Sequence, residues 1–282
     1  MYERPEIHMT QEEFVELRDL ICARTGIHIR DTRMEYLEYR VVDRMQATHT
    51  RTVRDYYYVL RYNRDADGEM QALINAITVQ ETHFNRNPAQ IKTFREVMMP
   101  AVAERRRKAG DRSFNIWSAA CATGEEPYTL AICAQESSHQ LQGLDVAIHA
   151  SDISTRALNL AEKASYSQNK LRDYDEATIA RYFDQTGDRY VLRERIRSIP
   201  KFGRINLVEP GEWRSLPKMD IIFCRNVFIY FDQNAKNKVA QQMYDQLRPG
   251  GCVFLGNAET IDVSVVPFKM KFMEGGMVYE KL

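Results

Sequence analysis

Residues 114–128 read FNIWSAACATGEEPY. The first six form a short apolar run of strand length. The run ends in small residues and Gly124, which let a backbone approach a bound group closely. Pro127, just after Glu125 and Glu126, suits the first turn of a helix. A strand turning directly into a helix is the repeating unit of a parallel sheet, where ligands bind beyond the carboxyl ends of the strands. The segment is not G-x-G-x-x-G, so taken alone it allows both a nucleotide-type site and a plain strand–helix turn.

Working outward, the same alternation recurs. Residues 146–150 (VAIHA), 219–224 (MDIIFC) and 252–255 (CVFL) are further apolar runs. Helical stretches lie between them, at about 127–138, 155–164 and 232–247. The tail FKMKFMEGGMVYEKL reads as two strands around Gly275-Gly276. This predicts an α/β domain with a mostly parallel sheet closed by a hairpin. Residues 165–206 break the alternation: a polar helix precedes TGDRYVLRERIRSIPKFG, in which 190–192 and 196–199 read as short strands. An inserted antiparallel β-subdomain is expected at about 165–205.

Residues 1–85 carry no strand pattern. Thr10 and Glu13 form a capping box ahead of Phe14, Leu17, Leu20 and Ile21, and Gly26 ends that helix. A second helix is predicted over 31–46, with Met34, Leu37, Val41 and Met45 on one side, a third over 53–62 and a fourth over 67–78. The expected organisation is an all-helical domain over 1–85 and an α/β domain over 86–282.

Composition narrows the function. Over 282 residues, 44% are hydrophobic and 28% charged, as in ordinary globular proteins. Lys plus Arg and Asp plus Glu both number 39, so nothing points to nucleic acid as a partner. No run approaches the ~18–20 apolar residues that span a bilayer. MYERPEIHMT lacks the apolar run of a secretion signal, so a cytoplasmic, not membrane-inserted protein is expected. Cys22, Cys121, Cys133, Cys224 and Cys252 form no C-x-x-C pair and read as free thiols in a reducing compartment. The six histidines show no metal-ligand spacing, and no metal is expected.

Two further strand ends carry polar groups. Asp152 follows the second run, where it either accepts hydrogen bonds from ribose hydroxyls or caps the helix starting near Ser154. Arg225 and Asn226 interrupt the apolar string FCRNVFIYF, an odd placement unless they face a cleft.

The strings TVQETHFNR (78–86), WSAACATGEEPY (117–128), ASDIS (150–154), INL (205–207) and FCRNVFIYF (223–231), with the earlier GIHI (26–29) and its basic helix, together resemble the CheR-type chemoreceptor glutamate methyltransferases over essentially the whole chain. The resemblance implies a Rossmann-like methyltransferase domain with a small inserted antiparallel β-subdomain, preceded by an all-helical N-terminal domain for receptor recognition. It implies S-adenosyl-L-methionine as cofactor, S-adenosyl-L-homocysteine as product, and glutamate 5-O-methyl esters on chemoreceptors as the outcome. By position, cofactor contacts fall on Gln80, Thr82, Arg86, Ala120, Glu126, Asp152, Asn206, Leu207, Arg225 and Asn226. Arg86 and Tyr230 are the residues it places at the reacting carboxylate. Gln80 stands where the family commonly has Asn, and Asn85 where it commonly has an aromatic residue.

The chemistry accords with what is missing. Glutamate has a pKa of about 4.3, so the acceptor is already ionised at neutral pH and an in-line methyl transfer needs no general base. The resemblance also directs the basic second helix, with Arg33, Arg40 and Arg44 on one face, to the cytoplasmic helical bundle of a chemoreceptor. Gln46 stands where some members have Arg. The hairpin after Phe183 carries the single Gly187, shorter than in members that hold a receptor-tail peptide, so no such tether is expected; the protein is also expected to be a monomer. Two alternatives stay open here: a methyltransferase of the same fold for another acceptor, and a non-catalytic cofactor-sensing module.

Overall fold

The computed structural model describes residues 7–282. Residues 1–6, part of MYERPEIHMT and of the domain read from residue 1, lie outside the described residues. The chain divides into two compact units. One takes the residues up to Val79 with Tyr230–Asp232; the other comprises Gln80–Ile229 and Gln233–Leu282.

The first unit is helical: α1 (Gln11–Thr25), α2 (Met34–Thr48), α3 (Val53–Tyr62) and α4 (Ala66–Ile77). The Thr10–Glu13 capping box starts α1, and Gly26, at φ 73°, closes it in the left-handed conformation. Phe14, Leu17, Ile21, Leu37, Val41, Met45, Leu60 and Leu73 fill the core. Each such side chain taken wholly out of water contributes ~1.5–3 kcal/mol. Arg44 does not join Arg33 on the solvent side. Its Nε and Nη2 donate to Glu69 of α4 at 2.9 and 2.7 Å, and the buried Tyr56 hydroxyl donates to the same carboxylate at 2.7 Å. No helix among the described residues is long and apolar enough to cross a membrane.

In the second unit α5 (Pro88–Thr93) passes through a π-helical turn at Phe94–Met98 into α6 (Met99–Lys108). There follow β1 (Ser113–Ala119), α7 (Glu125–Glu136), β2 (Asp145–Asp152) and α8 (Thr155–Lys163). Next come β3 (Ser165–Ser167), α9 (Glu176–Tyr182), β4 (Phe183–Thr186), β5 (Arg189–Leu192), α10 (Glu194–Arg197) and β6 (Pro200–Arg204). The unit ends with β7 (Met219–Cys224), α11 (Gln233–Gln246), β8 (Leu247–Leu255), β9 (Lys269–Met273) and β10 (Gly276–Glu280). Among the described residues the main sheet has seven strands in the order β6-β2-β1-β7-β8-β10-β9. The first five are parallel and the terminal hairpin is antiparallel. Every residue of β7 is buried, as expected of a strand covered on both faces.

Three details differ from the sequence reading. The unit begins at Gln80, not after residue 85, because Phe84 is fully buried in its core, edge-on to Tyr166 and Phe183. Residues 194–197 form a helical turn where a strand was expected. The inserted sheet is β3-β5-β4, and 200–204 lies outside it: β6 pairs in parallel with β2, Pro200 opposite Ile148 and Arg204 opposite Asp152. At the amino ends of the central strands, buried Asp220 accepts the Asn115 N–H at 2.8 Å and pairs with Arg106 and Arg248 at 3.3 and 3.1 Å, tying α6, β1, β7 and β8.

Candidate active site

The order β6-β2-β1-β7-β8 reverses direction between β1 and β7, where an open parallel sheet leaves a crevice. Ala119 lies opposite both Ser151 of β2 and Cys224 of β7, so the segments that follow these strands emerge side by side. After β1, Ala120 and Ala122 take positive φ of 60° and 48°, and Gly124 93°. A Cβ at Gly124 would lie 2.8 Å from that of Ala161, so only glycine lets this loop pack on α8.

Asp152 ends β2 and is buried. Its carboxylate accepts the Ala122 and Ser154 N–H groups, each at 2.8 Å, which orients it against the β1 loop. The helix cap is Ser154 instead, whose hydroxyl accepts the Ala157 N–H at 3.2 Å. Burial pushes the Asp152 carboxyl up, and the backbone hydrogen bonds from Ser154 and Ala122 pull it back.

Glu125 and Glu126 go to different places. Glu125 is fully buried, accepting from Thr123 at 2.7 Å and pairing with Lys170 at 3.4 Å. Glu126 turns to the crevice, where Ser118 of β1 donates to it at 2.6 Å and Arg225 pairs with it at 3.4 Å. Burial raises the Glu126 carboxyl, opposed chiefly by the Arg225 charge, and burial lowers the Arg225 guanidinium, opposed by Glu126. Arg225 also donates to the Arg86 carbonyl at 2.5 Å, while its Nε is buried with no hydrogen-bond partner among the described residues.

The segment entering α5 completes this side. Thr82 is buried, and its carbonyl accepts from Lys170 at 2.6 Å. Asn85 sits at φ 56°, a left-handed conformation that Asn tolerates well, and its N–H bonds Thr129 at 3.1 Å. Arg86 is half-buried and bonds the Glu81 carbonyl at 3.0 Å, with no carboxylate within 4.0 Å among the described residues. Past β6, the Ile205 N–H bonds the Asp152 carbonyl at 3.2 Å, bringing buried Asn206 and Leu207 beside β2. Asn226 follows Arg225 at φ 60°. Gln80 is half-buried at the start of the unit. Tyr230 belongs to the helical unit, where its carbonyl accepts the His28 N–H at 2.7 Å.

The sequence reading missed Ser118, Lys170 and Glu259. Glu259 accepts N–H groups from Asn226, Ile229 and Gly256. The available signal was the rule already used for Asp152, an acid close behind an apolar strand, here in GNAE after CVFL.

The donor and acceptor set suits S-adenosylmethionine. Fixed carboxylates at Asp152 and Glu126 complement hydroxyl and ammonium groups, and the unpartnered buried Nε of Arg225 complements an anionic one. The comparisons agree. Residues 80–276 match the CheR methyltransferase SAM binding domain, and residues 12–78 the CheR methyltransferase all-alpha domain. The chain is 34% identical to chemotaxis protein methyltransferase 2 of Vibrio cholerae serotype O1 over 91% of this chain and 88% of that one. It is 32% identical to chemotaxis protein methyltransferase 2 of Pseudomonas aeruginosa, over 90% and 88%. With the chemotaxis protein methyltransferase of Salmonella typhimurium the identity is 31%, over 93% and 88%.

Proposed function

Since the chain belongs to the CheR methyltransferase family, we propose that it forms glutamate 5-O-methyl esters on methyl-accepting chemotaxis receptors. The observation that carries this reading is the convergence of Asp152, Glu126, Arg225 and the Arg86 segment at the carboxyl ends of β1, β2 and β7. Gln80, Thr82, Arg86, Ala120, Glu126, Asp152, Asn206, Leu207, Arg225 and Asn226 would hold S-adenosylmethionine. When bound, it supplies a methyl group activated by its sulfonium.

The chain's task is then to orient an acceptor and exclude water. A glutamate carboxylate is ionised well below neutral pH, so no residue has to remove a proton from it. We assign Arg86, a cation without a carboxylate partner among the described residues, to binding and orienting that acceptor. A tighter grip than orientation requires would stabilise the ground state and slow transfer, so a single partly solvated guanidinium suits the task. Incubation with methyl-labelled S-adenosylmethionine and receptor-containing membranes tests the proposal. Label should enter the receptor and be released by mild base, as an ester is. Base-stable label, or none in the receptor, would overturn the receptor-ester reading.

A further inference from the structure

The carboxyl ends of β7 and β8 lie side by side, with Cys224 opposite Leu255. Each runs into a turn: Arg225-Asn226 after β7, Gly256-Asn257 after β8. Both close on one side chain. Glu259 Oε2 accepts the Asn226 N–H and the Gly256 N–H, each at 2.7 Å, and Oε1 accepts the Ile229 N–H at 3.2 Å. The Glu259 N–H in turn donates to the Gly256 carbonyl at 3.0 Å. The side chain is buried, and no cation lies within 4.0 Å of it among the described residues. Both oxygens are therefore met by backbone N–H groups, an arrangement that resists rearrangement.

The surroundings are built for it. A Cβ on Gly256 would come within 2.6 Å of Glu259 Oε2 and 3.0 Å of the Asn226 backbone nitrogen, so only glycine lets the two turns close over the carboxylate. Asn226 is held at φ 60°, a left-handed conformation that Asn tolerates. The residue before it, Arg225, carries the ion pair to Glu126 and the bond to the Arg86 carbonyl.

We propose that Glu259 is a positioning residue for the cofactor site, fixing the Arg225–Asn226 turn from beneath without touching cofactor or acceptor. The inference rests on the cofactor assignment of Arg225 and Asn226. A glutamine here offers one carbonyl oxygen in place of two carboxylate oxygens and turns an NH2 group towards an N–H donor, so at least one of the three amides is released.

Glu259→Gln tests this, with Asp220→Asn as the control: it breaks a buried carboxylate network of similar size at the opposite ends of the strands. All proteins are titrated calorimetrically with S-adenosylhomocysteine at a temperature where circular dichroism shows each folded. Glu259→Gln should bind roughly tenfold or more weaker and raise the KM for S-adenosylmethionine, the scale expected for an unmet buried amide. Asp220→Asn should lower Tm and keep the wild-type Kd. If Glu259→Gln does not fold, Gly256→Ala takes its place, since it displaces the carboxylate without removing it. Wild-type Kd and KM in the folded variant would overturn the proposal, as would an equal loss in Asp220→Asn. Failure of the wild-type protein itself to bind S-adenosylhomocysteine would instead sink the cofactor assignment.

Discussion

Asp152 has a structural duty and, in the proposed site, a binding one. Its carboxylate orders the β1 loop through Ala122 while its remaining lone pairs stay available to hydroxyl donors. Asp152→Ala is expected to weaken S-adenosylhomocysteine binding by roughly 1–3 kcal/mol, because it removes a contact and strands two amides. Calorimetry decides this, and unchanged affinity would take Asp152 out of the site. His149 makes a different kind of statement. Its Nε2 is buried without a partner among the described residues, and burial, aided by the Lys201 charge, holds the ring below the ordinary imidazole range. An unfolded histidine titrates at about 6.5, so below that pH the unfolded chain takes up a proton that the folded ring refuses. Its contribution is present in full above the unfolded value and is lost as pH falls through the folded one. His149→Gln should therefore lose less stability than wild type from about pH 7 to about pH 5. Parallel urea midpoints across that range would refute this account.

The arginines of the second helix sit in two different settings. Arg44 is locked to Glu69 and Tyr56, whereas Arg40 lies over the Tyr36 and Tyr39 rings at 5.2 and 5.4 Å and Arg33 is exposed. Neither Arg33 nor Arg40 has a carboxylate within 4.0 Å among the described residues. If this face meets an acidic receptor, Arg33→Ala with Arg40→Ala should lower receptor methylation and its salt sensitivity, since exposed charges are screened over about 8–10 Å. Cofactor affinity should be unchanged; retained methylation would mark the face as merely solvated. Arg44→Ala should instead cost ~1–3 kcal/mol of stability by stranding buried acceptors and donors, read from the unfolding midpoint. In the inserted sheet, only Gly187 and Asp188 separate β4 from β5. So tight a turn offers little backbone to shape a groove, and receptor-tail peptides should show no saturable binding well above micromolar concentration. Saturable micromolar binding that vanishes when Gly187 is replaced would reverse this and restore the ~10²–10⁴-fold gain a tether provides.

Across the methyltransferase unit, the proposed cofactor site lies at one end of the sheet and the Asp220 network at the other. Breaking the Asp220 network with Asp220→Ala should cost ~3–5 kcal/mol in urea unfolding, because two guanidinium groups lose a buried partner. Cofactor affinity measured in the folded state should not change; a loss there would mean that the two ends are coupled. The amino-acid sequence alone was enough for the helical unit, the strand–helix alternation and the polar strand ends. Each depends on local rules: a capping box at Thr10, apolar periods of helix or strand, and small residues at 118–124. Its motif strings also pointed to Glu126 over Glu125, but that Lys170 and Thr123 hold Glu125 is visible only in the structure. Other features were silent until the chain was folded. The strand at 200–204 is short and mostly exposed along a sheet edge, so it carries no apolar period. Arg44 looks like any surface arginine until Glu69 is brought to it, and Glu259 looks like a loop acid until three amides converge on it. A residue's pattern reports which side of its own element is buried. Which partner waits there depends on contacts between distant parts of the chain, and those are made only in the packed tertiary structure.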